Sequence, residues 1–349
     1  MKRLSIIQVF LPVLMMVSMI VLFSCTKEGP PGKDGADGED GINGSDGTAT
    51  CAACHNISEN VYAKTLQWEN SLHATGGNFE RNTAQCAPCH TSKGFREVIQ
   101  TGMQATAATV PDPTPINCYT CHQIHETYTT DDWGLRLEEP VTFWASGLAS
   151  DQGAANTCIQ CHQPRPATPW PDINDPDGMI NITSNRWGPH YGPQGTMIAG
   201  VGAFEFDGGY SNHAHAQIDN SCVTCHMAEA FAAKAGGHTN NMKYVYQGSE
   251  RLNTAGCVDC HSGSQDDLTA AVASLKTEIQ ALLSSLEEKL TEAGIYNPTT
   301  GLANPGTYPN KVVGAYYNWL FCGKYDGSYG MHNKTYAKRL LENSIAVLN

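Results

Sequence analysis

Cys222-Val223-Thr224-Cys225-His226 is one of six copies of a five-residue pattern, Cys-x-x-Cys-His, in a chain of 349 residues. The others are Cys51–His55, Cys86–His90, Cys118–His122, Cys158–His162 and Cys257–His261. Two thiols separated by two residues reach both vinyl groups of one haem, and the adjoining imidazole becomes the proximal ligand of its iron. The pattern therefore assigns covalent haem attachment to Cys51 and Cys54, Cys86 and Cys89, Cys118 and Cys121, Cys158 and Cys161, Cys222 and Cys225, and Cys257 and Cys260. It assigns proximal iron binding to His55, His90, His122, His162, His226 and His261, so six haem c are expected. Zinc ribbons and thiol redox enzymes also use Cys-x-x-Cys, but neither requires His directly after the second Cys.

The motifs take all of the 14 Cys except Cys25 and Cys322, so disulfides are not what the cysteines serve. With 34 acidic and 21 basic side chains the formal charge is −13, before haem propionates add to it. Nucleic acid needs a basic footprint and is excluded as a partner. A basic partner is compatible with this surface, although plain solubility explains the charge as well. Roughly 50 residues per haem is too few for each to have a side-chain core of its own. The expected fold is mainly α with extensive irregular loops, packed around six haems and carrying long C-terminal helices.

Residues 1–24 read as an export signal, with Lys2 and Arg3 ahead of an apolar run from Leu4 to Phe23. Leu22-Phe23-Ser24-Cys25 resembles the lipobox of bacterial lipoproteins, which makes Cys25 the lipidated first residue of the mature chain. An uncleaved membrane helix is the alternative. Residues 25–50 then carry Gly at 29, 32, 35, 38, 41, 44 and 47, the period of collagen. The run is short and acidic, and reads first as a solvated stalk, second as a trimerising segment. Residues 51–349 form the haem domain.

Within that domain the spacing of Val61, Leu66 and Leu72 predicts a helix over 58–73, stopping near Gly76-Gly77. A short helix is expected over 140–148. The Pro-rich interval between the fourth and fifth motifs is expected to be loop. Ser264 and Asp267 form a capping box for a helix to about Thr291, along which Leu268, Val272, Leu275, Ile279, Leu282 and Leu286 make a heptad seam. Packing on helices expected over 312–321 and 335–348 covers that seam in the first reading; a homo-oligomer through the helix is the second. Cys322 reads as a buried thiol at a helix end.

Seven of the 13 His lie outside the motifs: His73, His125, His190, His213, His215, His238 and His332. Six irons need at most six distal ligands, so the supply favours two imidazoles per iron, which leaves no free coordination position and suits electron transfer. His213 and His215 compete, because two residues apart they face different ways on a helix. The 10 Met are read as packing, with Met ligation as the alternative.

Ser211–Met227, reading SNHAHAQIDNSCVTCHM, followed by Gly236-Gly237-His238-Thr239 and Gly330-Met331-His332-Asn333, resembles the superfamily of cytochrome c nitrite reductases and octahaem cytochromes. Trp187–Gly200 and Cys118–His125 echo it. The resemblance implies distal ligation by His238, His332 and one of His213 or His215, and long helices that pack together or dimerise. It departs in two respects: there is no Cys-x-x-Cys-Lys catalytic motif, and the octahaem enzymes carry two more haems. The family's catalytic Arg, Tyr and His have no matched positions here.

The first reading is thus an exported, lipid-anchored hexahaem cytochrome that passes electrons along a haem chain to a redox partner protein or an extracellular acceptor, from the periplasmic or outer face of an outer membrane. The second is a reductase or oxidase of small nitrogen or sulfur compounds with one open haem, with Arg186, His190, Tyr191 and Tyr210 as its candidate polar groups. The third is a subunit of a cytochrome filament.

Overall fold

The helix expected after Ser264 dominates the computed structural model, which describes residues 59–76 and 78–349. The apolar leader, Cys25, the Gly-x-y run and the first motif lie outside the described residues. Those described fall within one unit of the chain, Thr48–Asn349. Among them five helices have ten residues or more: α1 (Glu59–Glu69), α2 (Ser92–Thr101), α3 (Gln265–Glu292), α4 (Asn310–Trp319) and α5 (Lys334–Ala346). Strands are short and pair only two by two, the longest ladders joining Met179–Ile182 to Gly306–Pro309 and Lys243–Tyr246 to Ser249–Leu252. The rest is single turns and irregular chain, in keeping with a mainly α, loop-rich fold.

α3 starts where its cap dictates. Ser264 Oγ accepts the Asp267 N–H at 3.2 Å, and the Asp267 carboxylate accepts the Ser264 N–H at 3.0 Å. Such a cap contributes about 1 kcal/mol. Leu268, Ile279, Leu283, Leu286 and Leu290 are buried, and Val272, Leu275 and Leu282 half-buried. The buried face meets α4 and α5 in the main core, with Tyr316, Tyr317, Phe321, Tyr336, Leu340 and Leu341. Trp319 Nε1 donates to the Leu283 carbonyl at 3.1 Å, and Glu278 pairs with Lys334 and Lys338. From Leu275 to Leu290 the seam is therefore covered by the chain's own C-terminal helices.

α4 continues into a π-helical turn, Leu320–Tyr325, which contains the fully buried Cys322. Burial pushes that thiol well above the usual cysteine range. Asn318, also fully buried, accepts the Phe204 N–H at 2.9 Å and donates to the Phe204 carbonyl at 2.7 Å and to Ser344 Oγ at 3.0 Å. It ties α4, α5 and the chain at 204 together, leaving no buried amide unpaired.

Two local expectations need correction. The helix over 58–73 is broken: α1 stops at Glu69, and Ser71 caps a separate turn, Leu72–Thr75, by accepting the Ala74 N–H. A side-chain oxygen placed there competes with continuation of the helix. The helix over 140–148 is instead a two-stranded hairpin, Val141–Thr142 with Ala149–Ser150. β-branched and aromatic residues favour strand there, and Gly147 at φ +71 supplies the left-handed turn position.

The N-terminal half is built differently. Its buried apolar cluster holds only Val141, Phe143 and Ile159, flanked by Leu137, Ala199, Val201 and Cys222. Side chains alone do not give this region the core that α3, α4 and α5 share. Leu286→Ala should lower stability by about 2–5 kcal/mol, as expected for a fully buried leucine. Chemical denaturation followed by helical circular dichroism measures this; Val272→Ala, half-buried, should shift the midpoint much less.

Candidate functional site

Each described motif forms a single turn that puts both thiols and the imidazole on one face, because positions i, i+3 and i+4 coincide there. The turn closes by a bond from the His N–H to the first Cys carbonyl: His90 to Cys86 at 3.2 Å, His122 to Cys118 at 2.9 Å, His162 to Cys158 at 3.0 Å, and His261 to Cys257 at 2.8 Å. The turn of the fifth motif is the helix Ser221–His226.

Opposite each of these five proximal imidazoles stands another from a remote part of the chain. The ring centres are 6.2 Å apart for His73 and His162, 6.5 Å for His90 and His190, and 6.2 Å for His122 and His238. They are 5.9 Å apart for His215 and His261, and 6.3 Å for His226 and His332. An iron held by both rings sits about 2 Å from each nitrogen, so their centres fall about 6 Å apart. The five separations fit one metal ion between each pair.

The rings are also oriented. Nδ1 of His122 faces the Trp133 carbonyl at 2.6 Å, that of His226 the Asn240 carbonyl at 2.9 Å, and that of His215 the Met331 carbonyl at 2.7 Å. His162 Nδ1 faces Gln194 Oε1 at 3.1 Å, and His332 Nδ1 the Asp326 carboxylate at 2.6 Å. With Nδ1–H donating to an acceptor, the Nε2 lone pair is left for the metal. Burial, with neighbouring imidazoles or cations, lowers His73, His190 and His238 to about 4, keeping them neutral as ligands must be. His332 moves the other way: burial alone would lower it, but Asp326 raises it overall.

Loops and short turns deliver the distal rings, and identifiable residues hold them. Gln67 of α1 accepts the His238 N–H at 3.0 Å, while Trp68 of α1 donates to the Ile116 carbonyl beside the third motif at 2.9 Å. The Arg165 N–H donates to the Pro189 carbonyl at 3.1 Å, fixing the strand of chain that presents His190. Asn333 accepts the His213 N–H at 2.9 Å and so sets the turn Ala214–Gln217 that carries His215. Of the two competing histidines, His215 faces His261; His213 accepts the His215 N–H at its own Nδ1, 3.3 Å away. His125 is not in any of the five pairs: Tyr119 Oη lies 2.9 Å from its Nδ1, and Tyr128 stacks on it at 5.4 Å. His55, Cys51 and Cys54 lie outside the described residues.

Among the described residues two buried side-chain nitrogens, Arg96 Nε and Arg136 Nη2, have no hydrogen-bond partner, and both belong to arginines at the third motif. Arg96 lies over the Tyr119 ring, and Arg136 Nε donates to the Tyr119 carbonyl at 2.7 Å. Orphaned guanidinium donors suit the carboxylates that a haem brings with it. Among the described residues no three His, Cys, Asp or Glu side chains converge as a zinc centre needs. Paired imidazoles, free thiols and guanidinium groups with unpaired nitrogens together fit haem.

The thiols of different motifs meet. Cys89 lies beside Cys161, and Cys158 beside Cys222. Cys121 lies near enough to bear electrostatically on Cys158 and Cys161, as Cys257 and Cys260 do on Cys225. Of the polar groups considered for an open site, Tyr191 packs on Tyr325 at 4.5 Å, and the Arg186 charge bears on the same phenol. Tyr210 is elsewhere, bonded to Asn343 at 3.0 Å, and His190 faces His90. The sequence reading missed Asp326, Gln194, Arg96 and Arg136, since nothing local marks a residue that serves a ligand distant in the chain.

Residues 202–348 match the family model of cytochrome c552. No curated protein matches the chain. Among solved structures, the crystal structure of the outer cell wall cytochrome OcwA shares the fold, with a TM-score of 0.52 and 21% identity over 82% of this chain and 50% of that one. The chain thus spans about half the length of that cytochrome. The resemblance read from the sequence therefore holds over the C-terminal region, and the likeness to that outer cell wall cytochrome is one of fold. Replacing His238 by Ala should turn one low-spin centre per chain high-spin in electron paramagnetic resonance of the oxidised holoprotein. His213→Ala should leave the low-spin signals of the five described pairs unchanged.

Proposed function

We propose that this chain, whose C-terminal region is of the cytochrome c552 kind, is an exported hexahaem protein that relays electrons and converts no substrate. The observation that carries the reading is the opposition of five proximal histidines by five distal ones at 5.9–6.5 Å. Haem c, when bound, supplies reversible one-electron chemistry whose potential the surrounding protein sets. In the five described pairs, both imidazoles would ligate the same iron and leave no coordination site for a small molecule, and the reading extends this to the first motif. His55 completes the set of six proximal ligands, and Cys51 and Cys54 the six attachment pairs.

The meeting thiols support an order for the relay. Cys89 against Cys161 puts the second and fourth attachment sites side by side, and Cys158 against Cys222 does the same for the fourth and fifth. The nearness of Cys225 to Cys257 and Cys260 continues the series to the sixth, while Cys121 sets the third beside the fourth. Tunnelling rates fall exponentially with edge separation, so adjoining attachment points favour fast transfer along second, fourth, fifth and sixth sites. The leader and Cys25 are read as export and lipid anchoring at an outer membrane, with the Gly-x-y run as stalk. A redox protein or an extracellular acceptor is the partner. The likeness to an outer cell wall cytochrome supports export. Among the described residues no helix is long and apolar enough to cross a membrane.

Six low-spin centres in the oxidised holoprotein, with reduced spectra unaltered by carbon monoxide, are the expected result. A high-spin centre, or one that takes up carbon monoxide, would overturn the relay in favour of a reductase with an open site.

A further inference from the structure

Five histidines of the paired set have an Nδ1 acceptor, and four of those acceptors are neutral amide oxygens, those of Trp133, Gln194, Asn240 and Met331. The fifth is different. His332 Nδ1 donates to Asp326 Oδ1 at 2.6 Å, and the Asp326 side chain is 0% exposed. Its other oxygen accepts the Ser328 N–H at 3.1 Å and the Ser328 hydroxyl. Among the described residues no Lys or Arg forms an ion pair with Asp326. Its charge is therefore directed at His332.

The carboxylate is held rigidly. The Asp326 N–H donates to the Phe321 carbonyl at 3.1 Å, anchoring it to the π turn in the main core. Gln194 Nε2 donates to the Tyr325 carbonyl at 2.8 Å while its Oε1 faces His162, so the acceptors of the fourth and fifth centres share one piece of chain. The opposite ligand of the fifth centre, His226, has only a carbonyl acceptor.

We propose that Asp326 is a positioning residue which, through His332, makes the iron centre of the fifth motif the most reducing of the five described. A hydrogen bond to an ionised acceptor is about twice as strong as one to a neutral acceptor. It draws the Nδ1 proton toward the carboxylate and makes His332 a more basic ligand. A more basic ligand stabilises ferric over ferrous iron, and burial stops solvent from screening the effect. The inference rests on the relay reading, because it needs a haem iron between His226 and His332. It gives that relay a slope, with the fifth site as the place from which an electron leaves most readily.

The test is spectroelectrochemical titration of the holoprotein, wild type against Asp326→Asn, which keeps the shape and an acceptor oxygen but removes the charge. One centre should shift upward by at least tenfold in its redox equilibrium, about 59 mV for one electron, with the other centres unmoved and all centres still low-spin. Ser328→Ala removes a donor that competes for the carboxylate, and should move the same centre in the opposite direction. Unmoved potentials in both variants, with full haem content, would overturn the role of Asp326 and leave the relay intact. Wild-type protein without haem c at the fifth motif would overturn the relay itself. If Asp326→Asn fails to fold, the sign of the Ser328→Ala shift decides: a downward shift supports the proposal and no shift overturns it.

Discussion

Everything in this structure depends on pairs of imidazoles held about 6 Å apart by pieces of chain that are far from one another in sequence. A proximal histidine is placed by its own five-residue turn and needs nothing else. A distal histidine has no such local device. His238 stands where it does because Gln67 takes its backbone N–H, and His215 because Asn333 fixes the preceding residue. The irregular chain is shaped by the need to bring these rings to the right separation with Nδ1 occupied.

The C-terminal helices are the part that folds by ordinary means, and they act as a scaffold for the rest. α3, α4 and α5 bury a continuous apolar core. From the connection between α4 and α5 come Asp326, Met331, His332 and Asn333, which serve the fifth and sixth pairs. The polar pins Asn318 and Trp319 lock α4 to α3 and to the chain near 204. The rigid half thus provides the acceptors that orient rings belonging to motifs outside it.

How much of this was legible in the sequence follows from what is local. The five described motifs, the capping box at Ser264 and the stripe along α3 rest on residues within one or two turns of each other, and the structure has them at those positions. Two short elements misled. Ser71 starts a new turn because its hydroxyl finds the Ala74 N–H, and the stretch at 140–148 becomes a hairpin because Gly147 takes the left-handed position. Both are choices of a few tenths to about 1 kcal/mol that tertiary context settles. Supply and demand named seven candidate distal histidines, of which five stand opposite a proximal ring and His125 and His213 do not. The partners of those five were not readable, since pairing His73 with His162 or His122 with His238 is a matter of tertiary path alone.

That same path explains how so little side-chain core can suffice in the N-terminal half. A bond between two residues about 100 positions apart removes chain entropy from the unfolded state, worth about 4–5 kcal/mol in the loop-closure view. His122 with His238 and His90 with His190 are separations of that order. An iron shared by each pair would therefore act as a staple as well as a redox centre, and attachment through the two thiols of each motif would keep it with the chain. Irregular segments such as the one carrying His190 can then remain irregular, because stability comes from where they are tied and not from what they form.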